Sequence, residues 1–128
     1  MAACIVKIVI MGHSFIRRLR DLVTFNAEFN NLCFSSSVFK VIFRTKGGLT
    51  IRQLANSSSL SEFYEEQDIG FLEIGSNDLC DTSRTVEEIA TSISSFASFL
   101  LITNKTKFVI IGQISDRRRF QFPICKTE

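Results

Sequence analysis

Four short apolar runs, each parted from the next by a stretch with helical spacing, constrain most what this chain can fold into. They are Cys4–Met11, Val38–Arg44, Asp68–Ile74 and Lys107–Ile114, and they are rich in β-branched residues or phenylalanine. Runs of this length, bounded by turn residues, read as strands. The first and last are almost wholly apolar, as expected of inner parallel strands covered on both faces. The second alternates, with Val38, Lys40, Ile42 and Arg44 on one face and Phe39, Val41 and Phe43 on the other, so it is expected to be half exposed.

Between the runs lie helical patterns. Phe15, Leu19, Leu22 and Val23 recur at helical spacing and leave Arg17, Arg18 and Arg20 mostly outward. Leu49, Ile51 and Leu54 predict a short second helix after Gly47-Gly48. The third pattern is the clearest: Thr85 can cap it, and Glu88 three residues on completes a capping box. Val86, Ile89, Ala90, Ile93, Phe96, Ala97 and Leu100 then form one apolar stripe that ends at the turn Asn104-Lys105. Strands alternating with helices are the signature of a doubly wound parallel sheet. The fold class is therefore α/β, a three-layer α/β/α sandwich with a flavodoxin-like parallel sheet. The last run passes into Ser115–Glu128, polar and basic with no further strand–helix unit, so residues 1–128 read as one domain truncated at its C-terminus.

At 128 residues the chain can bury a real core, and 45% hydrophobic residues with a single proline exclude disorder. A net charge of +2 is no argument for nucleic acid, and Arg117-Arg118-Arg119 with Phe120 and Phe122 reads as a solvated charge run near the chain end. Met1 to Met11 is apolar but short, carries Lys7 and lacks a cleavage site, which makes it a buried strand rather than a signal peptide. No stretch approaches a membrane span. Cys4, Cys33, Cys80 and Cys125 form no CxxC pair, and one histidine is too few to complete a zinc site with them. They read as free thiols in a reducing compartment, and a cytoplasmic location is expected. Asn56-Ser57-Ser58 and Asn104-Lys105-Thr106 match the glycosylation sequon, which carries no meaning without secretion.

In open parallel sheets ligands bind beyond the C-terminal ends of the strands. Three loops lie there: Gly12-His13-Ser14, Lys46-Gly47-Gly48 and Gly75-Ser76-Asn77-Asp78. A serine at a strand-to-helix turn suits a nucleophile, because the helix N-terminus favours developing negative charge. Acyl transfer also needs donors aimed at the tetrahedral oxyanion, and the N–H groups of Ser14 and Gly48 and the Asn77 carboxamide could supply them. Each loop alone equally suits a helix cap, a turn or a polar connection. Together, in order, at the ends of successive strands, they point to one site. The nucleophile elbow of α/β-hydrolases is excluded, since Ile16 stands where it needs glycine. A Rossmann glycine motif and a Walker A sequence are also absent.

Ile8-Val9-Ile10-Met11-Gly12-His13-Ser14 looks like the first block of the SGNH hydrolase superfamily (GDSL-like esterases and lipases), which normally reads Gly-Asp-Ser. Gly47-Gly48-Leu49-Thr50 resembles its second block, whose glycine N–H is an oxyanion donor. Leu72-Glu73-Ile74-Gly75-Ser76-Asn77-Asp78 is similar to its third, Gly-x-Asn-Asp, whose asparagine is the other. The resemblance covers roughly Lys7 to Gln113. It implies hydrolysis of a small carboxylic ester through an acyl-serine, with Ser14 as nucleophile, Gly48 and Asn77 as oxyanion donors, and neither metal nor cofactor. Similar esterase-like domains occur in proteins of some animal retrotransposons, which would imply a mobile-element origin.

Two departures stand out. His13 replaces the usual aspartate, a position outside the catalytic triad, and it reads as a loop histidine at the mouth of the site. The fourth block, Asp-x-x-His, is missing, and Asp116 has no histidine to orient. The chain is thus expected to be a very poor esterase. Two alternatives are a non-catalytic module that keeps the pocket and a nucleic-acid-associated accessory domain of a retroelement. A sheet lacking its last strand and helix should leave Lys107–Ile114 with unpaired backbone and apolar surface, and self-association through that edge is expected.

Overall fold

The computed structural model describes residues 4–56 and 66–114. Ser57 and Ser58 of the first sequon, and Asp116, the arginine run 117–119, Phe120, Phe122 and Cys125, lie outside the described residues.

The elements run β1 (Val6–Gly12), α1 (Ser14–Phe25), a 3₁₀ segment (Ala27–Cys33), β2 (Phe39–Thr45), α2 (Ile51–Asn56), β3 (Ile69–Glu73), a 3₁₀ turn (Asp78–Cys80), α3 (Val86–Ile102) and β4 (Phe108–Ile111). The strands form one sheet in the order β2-β1-β3-β4, with every neighbouring pair parallel. The order reverses between β1 and β3, because the chain crosses first to one side of β1 and then to the other. Such a switch point opens a crevice above the strand ends. In register, Gly12 is the partner of Thr45 on β2 and of Glu73 on β3, so the three expected loops leave the sheet at one level.

Side chains alternate across the sheet, and the two faces are covered differently. Val9, Met11, Leu72 and Ile74 face one way and join Leu49, Ile51 and Leu54 with Ile89, Ile93, Phe96 and Leu100 of α3 in a single buried cluster. Ile8, Ile10, Ile69, Phe71 and Ile110 face the other way, toward Ile16 and Leu19 of α1, around an apolar cavity of about 510 Å³. Helices therefore lie on both faces, and the α/β architecture is the one expected.

The capping box of α3 forms as read. The Glu88 N–H donates to Thr85 Oγ1 at 3.1 Å, and the Thr85 N–H donates to Glu88 Oε1 at 2.9 Å. Its apolar stripe is narrower than expected, since Val86 and Ala90 are exposed and burial begins at Ile89. In α1 the expected stripe is displaced. Phe15 and Leu22 are 56% and 49% exposed, while Ile16 is fully buried against the sheet. Arg17 and Arg18 are exposed as expected, and Arg20, part-exposed, also reaches Thr45 Oγ1 at the end of β2, 3.2 Å from its Nη1.

The strands also divide. β1 is central and buries Val9 to Gly12. Among the described residues β4 is the last strand of the sheet, with Phe108 65% and Ile110 50% exposed, the uncovered edge expected of a sheet with no further strand beside Lys107–Ile114. Among the described residues no element covers its α1-side face beyond the reach of α1. The opposite edge strand, β2, is half exposed as expected. Asn31 caps that edge: its Nδ2 donates to the Phe39 carbonyl at 3.0 Å, and its Oδ1 accepts the Val41 N–H at 2.9 Å. One side chain thereby imitates a stretch of neighbouring strand. Among the described residues no helix is long and apolar enough to cross a membrane.

Candidate active site

Gly12 ends β1 where α1 turns back over the sheet. A Cβ at this position would lie 2.6 Å from Ile16 Cγ1 and against the Glu73 carbonyl, so only glycine lets helix and strand approach so closely. His13 follows as the N-cap of α1, and its Nδ1 accepts the Phe15 N–H at 3.2 Å. An imidazole that accepts at Nδ1 carries its proton on Nε2. The histidine is buried rather than standing at the mouth of the site. The reason is local: a ring nitrogen satisfies an amide that the first helical turn leaves without a partner. Ser14 is the first residue of α1, half-buried, at the positive end of the helix dipole.

The second loop is tied to the first, since the Lys46 N–H donates to the Gly12 carbonyl at 3.2 Å. The Leu49 N–H then donates to the Lys46 carbonyl at 3.2 Å, closing a four-residue turn in which Gly48 has φ +71°. A positive φ at that place in a turn favours glycine.

The third loop is tied to the second. Asn77 Nδ2 donates to the Leu49 carbonyl at 3.2 Å, which sets the carboxamide beside Gly48. Asp78 is buried, and its carboxylate accepts the Ile51 N–H at 3.0 Å and faces Arg84 Nη1 at 3.4 Å. Burial pushes the Asp78 carboxyl up, while the Ile51 N–H and the Arg84 charge pull the other way. This carboxylate closes the start of α2 and locks two loops into one unit. The sequence reading gave Asp78 no role, although an acidic residue directly after the loop asparagine was visible.

A cavity of about 400 Å³ opens beside Ser14, walled by His13, Ser14, Arg18, Glu73, Ser76 and Gln113 among others. Gly48 and Asn77 do not line it. The structure thus ties Asn77 to Leu49, the residue after Gly48, and sets Ser76, the residue before Asn77, in the same cavity wall as Ser14. Glu73 is a second residue the sequence reading passed over. Its signal was a single carboxylate in the last position of an otherwise apolar strand. Burial pushes its carboxyl up. Among the described residues no group of histidine, cysteine, aspartate or glutamate side chains could hold a metal ion.

No family model matches the chain, and no curated protein matches it by sequence. Solved structures do match it by fold. A GDSL-like lipase of Parabacteroides merdae superposes with a TM-score of 0.57 at 14% identity, over 83% of this chain and 58% of the lipase. This chain therefore spans a little over half the length of that protein. Looser likenesses, which carry no argument, are to a catalytic mutant of an acetylxylan esterase from Geobacillus stearothermophilus (TM-score 0.48, 14% identity, 99% of this chain and 71% of the other) and to another acetyl xylan esterase (0.45, 15%, 83% and 57%). At such identities the likeness shows the fold alone: a parallel α/β sheet like that of the Parabacteroides protein.

Proposed function

We propose that this chain hydrolyses small carboxylic esters through an acyl-serine at Ser14, with the Gly48 N–H and the Asn77 carboxamide as oxyanion donors and without a cofactor. The observation that carries this reading is the placement of Ser14. It opens α1 at the topological switch point, beside a cavity of about 400 Å³, on the same sheet edge as the bonded Gly48 and Asn77 loops. In the reaction Ser14 Oγ attacks the ester carbonyl and loses its proton. The oxyanion forms facing N–H donors, the alcohol leaves, and water repeats the sequence on the acyl-serine.

His13 is poorly suited to take that proton, because its Nδ1 is engaged as the helix cap. Turnover is therefore slow. Positioning and oxyanion donors without an efficient base still leave roughly 10³–10⁴-fold acceleration over water in triad enzymes. The test is hydrolysis of a short-chain nitrophenyl ester. Weak turnover, well below the roughly 10 s⁻¹ of a typical enzyme, should disappear in Ser14→Ala. Equal rates for the two proteins would reject the reading.

The engaged His13 also favours a second reading, a non-catalytic module that holds an ester without turning it over. Equilibrium binding of the ester with no Ser14-dependent product would select it. The mobile-element origin rests on the sequence resemblance, and a nucleic-acid accessory role on the two arginine clusters. The four cysteines form no CxxC pair, which supports a reducing compartment such as the cytoplasm.

A further inference from the structure

Ser14 needs a group to receive its proton, and the walls of its cavity offer three titratable side chains: His13, Arg18 and Glu73. The His13 Nδ1 lone pair is spent on the Phe15 N–H. The Arg18 guanidinium carries only N–H donors and has no acceptor to offer. Glu73 differs from both. It is the last residue of β3 and the register partner of Gly12, two residues before Ser14. Strand alternation from Ile69 and Phe71 sends its side chain to the α1 face of the sheet. There its carboxylate lies against Gly112, at a point where a Cβ would collide with Oε2, and Phe71 closes in from the other side. Glu73 also lines the apolar cavity beneath, with Phe15, Ile16 and Ile110. Among the described residues the carboxylate has no hydrogen bond or ion pair. A half-buried carboxylate in apolar surroundings with its lone pairs unspent is costly to the fold, and such groups concentrate at functional sites.

On the ester-hydrolysis reading above, we infer that Glu73 is the proton acceptor for Ser14. The Ser14 Oγ–H proton passes to a Glu73 carboxylate oxygen, directly or through one water, as the Oγ–C bond forms and the carbonyl pair moves onto oxygen. When the tetrahedral species collapses, the ester C–O bond breaks and Glu73 returns the proton to the departing alkoxide. In the second half the attacking water gives its proton to Glu73, and the serine oxygen recovers one. A carboxylate is a weaker base than imidazole, so the chemistry is slow. Burial raises the Glu73 carboxyl above the ordinary glutamate value and narrows that gap. The charged or titratable groups facing it are His13 and Arg18, both from the α1 side. Gly12 of β1 and Ile110, Gly112 and Gln113 of β4 and its following loop bring no charge.

The experiment is covalent labelling of the full chain with a fluorophosphonate, which reports serine activation without turnover. The Oγ–P bond forms, the P–F bond breaks, fluoride leaves, and the proton goes to the base. Intact-mass spectrometry follows the rate against pH, with circular dichroism at each pH to confirm the native state. Labelling at Ser14 should fall with decreasing pH along a single limb in the carboxylate range, displaced above an ordinary glutamate. Glu73→Gln should slow labelling at neutral pH by about 10²-fold or more, and Glu73→Asp should recover part of the rate. Wild-type labelling in Glu73→Gln would overturn the inference and leave the ester reading standing. So would a limb that keeps its position in Glu73→Asp, which would return the role to His13. Should Glu73→Gln not fold, the comparison of the wild-type limb with that of Glu73→Asp decides alone. Absence of both Ser14 labelling and Ser14-dependent hydrolysis would overturn the ester reading and Glu73 with it.

Discussion

Gly48 and Asp78 show how single residues hold the candidate site. Gly48 has φ +71° and open space where a side chain would begin, with nothing within 4 Å. Gly48→Ala therefore tests backbone strain without a clash. It should cost about 1–2 kcal/mol, read as a lower urea midpoint with an unchanged slope. Asp78→Ala leaves the Ile51 N–H and Arg84 without their buried acceptor. The loss should be about 3 kcal/mol, the low end for breaking a buried pair, because burial already pushes this carboxyl up. Denaturant unfolding measures it, and a loss below about 1 kcal/mol would show that water replaces the carboxylate. Ser14, Gly48 and Asn77 stood out in the sequence as candidates because each sits in a short motif of turn residues. Glu73 did not, since its surroundings depend on Gly12 at the end of β1 and Gly112 just after β4.

Among the elements, α3 was legible almost residue by residue. Its capping box and its apolar positions are local, and a local pattern survives whatever the helix packs on. α1 was read only in part, because its apolar residues are spread around the helix: Leu19 and Val23 are half-buried as expected. The sheet chose Ile16 and left Phe15 and Leu22 half exposed. The segment before β2 carried no periodic signal at all. There Asn31 holds a left-handed backbone, φ 58°, and spends its carboxamide on the edge of β2. Asn31→Ala should remove those bonds and keep the strained φ, at a cost of about 1–2 kcal/mol. Hydrogen exchange should quicken at the Val41 amide more than at amides of β1. Uniform protection along both strands would argue against this role.

At the scale of the molecule the two sheet edges are unequal. β2 is capped by Asn31, whereas β4 ends the sheet with Phe108, Ile110 and Ile111 about half exposed. An open edge beside apolar surface is a template for pairing. The chain should associate as its concentration rises, or bind a hydrophobic dye in its native state, and Ile110→Lys should weaken both. Sedimentation as a monomer at all concentrations, without dye binding, would contradict this.

The sequence by itself determined the number and order of the strands and helices, the parallel character of the sheet, and the three loops at its C-terminal edge. All of these follow from short-range periodicity and turn chemistry. Tertiary structure alone decided that Ile16 is the buried residue of α1, that His13 caps a helix and that Asp78 joins two loops. It also decided that Glu73 meets the cavity of Ser14. That meeting depends on Gly12 pairing with Glu73 across the sheet, 61 residues apart. No window along the chain contains both, and only the register of β1 on β3 brings them together.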